Sequence, residues 1–338
     1  MAIGGVAGPA QASSSWPALP KLSGFGATTP AGSAGATATV INLADSGPGS
    51  FREALASGNR TVKFAVAGTI VLSSQIMIRN LSAITIAGAT APAPGITLTG
   101  YGLTVRNSHD IVVQGIRVRD TVDDNMAVWD GSYNVVIDHC SLANAGDGNV
   151  DITENTHDVT VSWTLLGDTR PDSYQRHTKA TLIANFNAGP VTRVSLHNNA
   201  WVNSFQRNPQ VSTAGLVDIR DNLVGDWGYY GMRLRAGATG NIVNNYFSSH
   251  THAPDAVILE KDAIPGDGTG AGAVFVSGNA GQAGVAVNRL STKSRAYSVA
   301  AVPTTAASVV RSAALAGTGV FPRDATDAEL IAKINALP

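Results

Sequence analysis

The chain has 338 residues, of which 44% are hydrophobic and only 14% charged, with a formal net charge of −1. That is enough apolar material for a sizeable core, and there is no polybasic field to hold a nucleic acid. The single cysteine, Cys140, excludes an internal disulfide, and no apolar run reaches the length of about 18 residues that would span a bilayer.

Glycine is plentiful and Val, Ile, Thr and Ala dominate, which favours β-structure with many tight corners. Residues 1–23 contain Ala10-Gln11-Ala12, a small-residue triplet like an export-signal cleavage site, without a basic or long apolar segment before it. They are read as an N-terminal extension: either the stub of an export signal or a linker. "SGPGSFREALASG" (46–58) predicts a short helix with Ser50 as N-cap, Glu53 at N3, and Phe51, Ala54 and Leu55 on its apolar face.

The middle of the chain repeats. "DIVVQGIRV" (110–118), "NVVIDHCSL" (134–142), "DVTVSWTLL" (158–166), "RVSLHNNAW" (193–201), "LVDIRDNLV" (216–224) and "NIVNNYF" (241–247) place Ile116, Cys140, Thr164, Asn199, Asn222 and Asn245 at equivalent positions. The steps are 24, 24, 35, 23 and 23 residues, and the long one holds the insertion "GDTRPDSYQRHTK" (167–179). A period near 23 with short β-rich segments predicts one solenoid coil per repeat, each of about three short strands. The three asparagines would stack along the axis and satisfy corner backbone groups. The fold class is therefore all-β: a right-handed, single-stranded parallel β-helix over 24–300 in a single domain (1–338). An N-terminal capping helix and a C-terminal cap segment, 301–338, would close it. "TDAELIAKINAL" (326–337) repeats the helix-start device with Thr326 and Glu329.

The chemistry concentrates in "DDNMAVWDGSYNVVIDHCSLANAGDGNVDI" (123–152). Asp147 and Asp151, four apart in a β-context, share one face. With Asp123, Asp124 and Asn125 one coil earlier they make an oxygen-only cluster, which suits Ca²⁺ better than zinc or copper. Cys140 reads as a stacked interior residue, with its neighbour His139 on the opposite face of the strand. In "FQRNPQVS" (205–212), Asn-Pro breaks a strand pattern and leaves Arg207 at the corner. Trp129, Trp163, Trp201, Trp227, Tyr229 and Tyr230 are candidates for stacking on sugars, although aromatic residues in coils more often pack the core or corners.

These pieces, with "GFGATTPAG" (24–32), "NLADSGPGSFREAL" (42–55), "ITIAGATAPAPGITL" (84–98), "VVIDHCS" (135–141), "VTVSWTLL" (159–166) and "QRNPQV" (206–211), span almost the whole chain. Together the sequence resembles the pectate lyase family, polysaccharide lyase family 1, a group of extracellular β-helix enzymes. The resemblance implies calcium-dependent β-elimination on α-1,4-linked galacturonan. Asp147 and Asp151 fall on two calcium carboxylates, and Asn125 falls where the family has a third. With an amide there, the resemblance implies weak Ca²⁺ binding until the substrate's carboxylate joins; Asp123 and Asp124 are the other contributors. Lys179 falls on the lysine that contacts the substrate carboxylate, and Arg207 on the catalytic arginine that removes the C5 proton. Arginine holds its own proton tightly, so this role is implied by the family and not by its chemistry alone. Ser212 stands where the family often has a second arginine, with Arg220, Arg233 or Arg235 as replacements. Arg170, Tyr174, Arg176 and His177 of the insertion would overhang the cleft. The substrate-binding set is Arg176, His177, Arg233 and Arg235.

A β-helix hydrolase would need an acid–base carboxylate pair and usually a Gly-His-Gly segment, which the sequence lacks. A lyase for another uronan, such as alginate or glucuronan, and a non-catalytic polysaccharide-binding solenoid are the alternatives. The expected partner is an acidic polysaccharide, with neither nucleic acid nor membrane, and the expected state is a secreted monomer, extracellular or periplasmic.

Overall fold

Runs of three to six β-branched and aliphatic residues, each cut by Asn, Asp or Gly, are too short and too stiff for helices. They become strands that turn sharply at every break. The computed structural model describes residues 19, 21–172, 175–249, 256–259, 272–282 and 292–338; Tyr174 and the Ala10-Gln11-Ala12 triplet lie outside them. Among the described residues, parallel strands form three sheets of ten, nine and eight members. After the first two, Ala36–Val40 and Arg60–Phe64, which pair with each other, strands next to each other in sequence go to different sheets, and each pairs with its counterpart one coil away. Tyr133–Asp138, for example, lies between His109–Gln114 and His157–Ser162. This is the parallel β-helix that the repeat predicts.

The coils stack by registering like on like. Ile84, Ile111, Val135, Val159, Val194 and Val217 are successive Cα partners, and all are fully buried. Burying one such side chain is worth about 1.5–3 kcal/mol, so the stack is the main stabilising term. The corners repeat as well. His139, Trp163, Asn198, Asp221 and Asn244 hold φ of 48, 48, 56, 56 and 56°, each turning the chain through the left-handed region. Asn and Asp tolerate that region, which accounts for their abundance at the breaks.

Each left-handed residue is followed by the repeat position found in the sequence. There the asparagines form a fully buried ladder. Asn222 Oδ1 accepts the Asn199 backbone N–H at 2.9 Å, Asn245 Oδ1 accepts that of Asn222 at 3.0 Å, and Asn279 Oδ1 accepts that of Asn245 at 2.8 Å. The side-chain amides donate to carbonyls of the coil before, Asn222 to Leu196 at 2.9 Å and Asn245 to Ile219 at 3.0 Å. Thr164 and Cys140 continue the line. Cys140 is fully buried, and burial pushes its thiol up to about 12, so it is inert packing.

At the N-terminal end, α1 (Phe51–Ala54) has Ser50 as N-cap, its hydroxyl accepting from Glu53 N. Glu53 itself accepts from Gly49 N and not from Ser50 N. The C-terminal segment holds two helices, α2 (Ala307–Gly317) and α3 (Ala325–Ala336). They lie along the outside of the nine-stranded sheet. Val310, Ala314, Leu330 and Ile334 pack on Leu165, Ala200, Val202 and Leu223. The start of α3 differs from the sequence expectation. Asp324 is the N-cap and Asp327 closes the capping box, in place of Thr326 and Glu329. Docking decides this: Asp327 is buried between Arg117 Nε at 2.8 Å and Arg119 Nη2 at 2.5 Å, and Asp324 takes Arg119 Nη1 at 2.5 Å.

Candidate active site

Strand alternation puts every second residue of the eight-stranded sheet outside. In Gly148–Thr153, Val150 and Ile152 enter the core and Asp151 points outwards between them. Asp151 shares a row with Leu182, Gln210 and Arg233 of the next coils; Thr153, Ala184, Ser212 and Arg235 form the row beside it. Lys179 pairs with Gly148 on one side and bridges Gln206 on the other, so Arg207 stands one coil from Lys179 and one residue along. The stacking thus collects residues from the 123–125, 147–151, 179 and 207 regions on one outward face.

Carboxyl oxygens of Asp123, Asp124 and Asp147 lie within 4.8 Å of one another. Asp124 Oδ1 accepts Gly148 N at 2.8 Å. Both carboxylates crowd Gly148: a Cβ there would meet Asp151 Oδ1 at 2.6 Å and Asp124 Oδ1 at 3.0 Å. Asp151 Oδ1 is enclosed and has no hydrogen-bond partner among the described residues. Burial, reinforced by Asp123 and Asp147, pushes Asp124 up to about 6 against the pull of Gly148 N–H and Arg207. Burial and Asp124 likewise hold Asp151 well above the usual carboxylate range, with Arg207 and Lys179 opposing. Lys179 Nζ pairs with Asp147 Oδ1. The donor set is all oxygen, crowded and short of cations, and includes one orphaned carboxylate oxygen; it fits a hard divalent cation.

Asn125 departs from its expected place. It is fully buried; its Oδ1 accepts the Thr121 hydroxyl at 2.9 Å, and its amide donates to Ala143 O at 3.1 Å and Asn149 Oδ1 at 2.7 Å. It ties two coils together from the inside, and Asp123 and Asp124 stand on the outward side of that corner. The chain turns there, so strict alternation no longer says which of three adjacent polar residues faces in.

Arg207 occupies the left-handed region, φ 64°. Such a backbone costs about 1–3 kcal/mol and persists only when its surroundings impose it. Thr181 N donates to Arg207 O at 2.7 Å, and Asn208 N donates to Gly231 O at 3.1 Å. The buried Asn208 amide holds Ser204 O at 3.3 Å and Tyr230 O at 3.4 Å. The corner is clamped from both neighbouring coils, and the Arg207 charge acts on Asp124 and Asp151. Behind it, burial raises the Tyr230 phenol against the nearby Arg233 and Arg207.

The other candidates are spread more widely. Arg233 and Arg235 share the outward face, and Arg235 is the Cα partner of Ser212. Arg220 sits on the ten-stranded sheet, paired with Asp218 at 2.5 Å, and is no substitute for the missing arginine. His177 stacks on Phe205 at 4.7 Å, and Phe205 on Tyr229 at 6.2 Å. Arg176 is exposed and pairs with Asp172 at 2.7 Å, within the insertion. Of the aromatic candidates, Trp201, Trp227 and Tyr230 are fully buried, whereas Trp129 lines a groove beside the carboxylates. Phe186 and Glu154 of the same groove had no signal in the sequence, because each lies on or against a loop that only the coil stacking brings there.

No family model matches the chain. It is 33% identical over 241 residues to "Probable pectate lyase C" of Aspergillus terreus, an overlap of 69% of this chain and 54% of that protein. It is 28% identical over 197 residues to "Pectate trisaccharide-lyase" of a Thermotoga species, covering 54% of this chain and 49% of that protein. The chain thus spans about half the length of the relatives it matches. Among solved structures, pectate lyase Bsp165PelA of Bacillus sp. N165, in complex with trigalacturonate, superposes with a TM-score of 0.68 at 18% identity, covering 88% of this chain and 98% of that one. Jun a 1, the major allergen from cedar pollen, superposes with a TM-score of 0.71 at 16% identity, over 88% and 93%.

Proposed function

The chain is homologous to proteins named pectate lyase, and from that premise we propose that it is a secreted, monomeric polysaccharide lyase cleaving α-1,4-linked galacturonan by β-elimination. One juxtaposition supports the reading: four carboxylates, Lys179 and Arg207 meet on successive coils of one outward sheet face. A uronate carries a proton on C5 beside its carboxylate and a leaving group on C4. The proton is not removable until the carboxylate's charge is offset. Asp123, Asp124, Asp147 and Asp151 are the residues to hold a Ca²⁺, which supplies positive charge beside the substrate carboxylate when bound. Lys179 offers a second positive charge by turning from Asp147 to that carboxylate. Arg207 takes the C5 proton in its neutral guanidine form, having first given up its own proton to water, and so returns to the guanidinium. The C4–O bond then breaks with its electron pair on the glycosidic oxygen, which is protonated from water, and C4–C5 becomes a double bond. The clamped corner holds the guanidinium in position, so little conformational freedom is lost in the reaction.

The test is incubation with galacturonan, alginate and glucuronan while following the ultraviolet absorbance of the conjugated unsaturated uronide. Absorbance should rise on galacturonan, require added Ca²⁺ and stop with chelator. New reducing ends without absorbance would mean a hydrolase, and binding without cleavage a carbohydrate-binding solenoid.

A further inference from the structure

Ser212 stands on the outward face of the eight-stranded sheet, in the row Thr153, Ala184, Ser212, Arg235. Its hydroxyl is the last link of a chain of side chains that starts behind the Arg207 corner. The first link is Tyr230, fully buried, whose phenol meets two donors, the Arg233 guanidinium and the Arg207 backbone N–H. A guanidinium and a peptide N–H can only donate. The phenol oxygen therefore accepts from them, and its own hydrogen goes elsewhere: to Gln210 Oε1, at 2.5 Å.

That bond sets the direction of everything after it. A carboxamide has an oxygen that accepts and a nitrogen that donates, and the network around it decides which end lies where. With Oε1 taken by the phenol, Nε2 faces Ser212 and donates to its Oγ at 3.0 Å. The serine oxygen is thus an acceptor on its inner side. Its hydrogen points away from Gln210 and meets no acceptor among the described residues. The row says what it would meet. Ala184, on one side, has no polar group and little bulk; Arg235, on the other, brings a positive charge. A fixed O–H beside a guanidinium suits an anionic acceptor, to which hydrogen bonds are strongest.

Resting on the lyase reading, we propose that Ser212 donates to a carboxylate oxygen of the bound galacturonan, and that Gln210 and Tyr230 are positioning residues that keep its hydrogen turned to the cleft. The chain orients the hydroxyl before the substrate arrives, so little freedom is lost on binding.

The experiment measures kcat and KM on unesterified galacturonan with saturating Ca²⁺ for the wild type, Ser212→Ala, Gln210→Glu, Tyr230→Phe and the double variant Gln210→Glu/Ser212→Ala. Ser212 and Gln210 are partly exposed, so their variants keep the fold even where Tyr230→Phe loses stability. Ser212→Ala should raise KM about tenfold. Its kcat should change little, because the bond is made to the substrate before and during the reaction alike. Gln210→Glu is the sharper variant. A carboxylate there accepts from Tyr230 and Ser212 together, which turns the serine hydrogen inwards. KM should rise as in Ser212→Ala, and the double variant should show no further rise. Tyr230→Phe, which lets the amide turn over, should raise KM by less. An unchanged KM in Ser212→Ala would overturn the inference and leave the lyase reading intact. So would a Gln210→Glu penalty equally large without the serine hydroxyl, since added charge alone would then account for it. No cleavage of galacturonan by the wild type would remove the lyase reading, and this inference with it.

Discussion

Burial beside other carboxylates raises a carboxyl's hold on its proton, which a bound cation would replace, and that is the direction of the shift at Asp124 and Asp151. Asn125, next to them in sequence, belongs to a different network. Asn125→Asp would set a carboxylate against Ala143 O and Asn149 Oδ1, both acceptors. The variant should lose roughly 1–3 kcal/mol of stability with no gain in Ca²⁺ affinity, as read by urea denaturation and calorimetry; tighter calcium at unchanged stability would refute this placement. Asp221 gives a prediction in pH. Burial, with Asp218, raises it to about 6 against the Thr305 N–H bond and Arg220, and its Oδ1 has no partner among the described residues. A carboxyl whose folded value is raised makes a contribution that is complete below its unfolded value, 3.8, and lost as pH rises through about 6. Asp221→Asn keeps the left-handed corner and the acceptor for Thr305 N–H. Its stability relative to the wild type should therefore rise between about pH 4 and pH 6 and level off above. A difference flat across that range in denaturation midpoints would show that Asp221 does not titrate there.

At the scale of elements, the asparagine ladder is the feature most open to a single substitution. Asn222 serves Asn199, Leu196 and Asn245 at once, all in a dry corner. Asn222→Ala should cost about 1–3 kcal/mol by leaving the Asn199 N–H and the Leu196 carbonyl unpaired, with the melting temperature lowered accordingly; an unchanged melting temperature would mean that water reaches the corner. The ladder was legible in the sequence because equal coil length returns equal chemistry to the same place. Asp147 and Asp151 could be singled out from their spacing and the stacking of coils, whereas Lys179 and the role of Arg207 came from the family resemblance. What escaped has a physical cause in each case. Asn125 faces inwards at a corner where alternation lapses. The true start of α3 depends on the Arg117 and Arg119 side chains of a distant strand. Phe186 owes its position to Glu154, 32 residues earlier, through a contact that exists only after two coils stack.

For the molecule as a whole, the stacking turns a linear order into a cleft with a direction. Basic side chains from the later coils and an apolar groove from the earlier ones flank a cluster of carboxylates, and C-terminal helices cover the nine-stranded sheet, away from that face. The central claim is that this face performs an elimination in which Arg207 removes the proton. The direct measurement is the rate at which the unsaturated uronide forms from galacturonan with saturating Ca²⁺, for the wild type and for Arg207→Ala, with circular dichroism to confirm the β-helix in both. Removing a group that acts only in the transition state lowers turnover without a matching change in substrate affinity. The account predicts a loss of turnover of at least about a thousandfold, with KM changed little. Near wild-type turnover in a folded Arg207→Ala would contradict it.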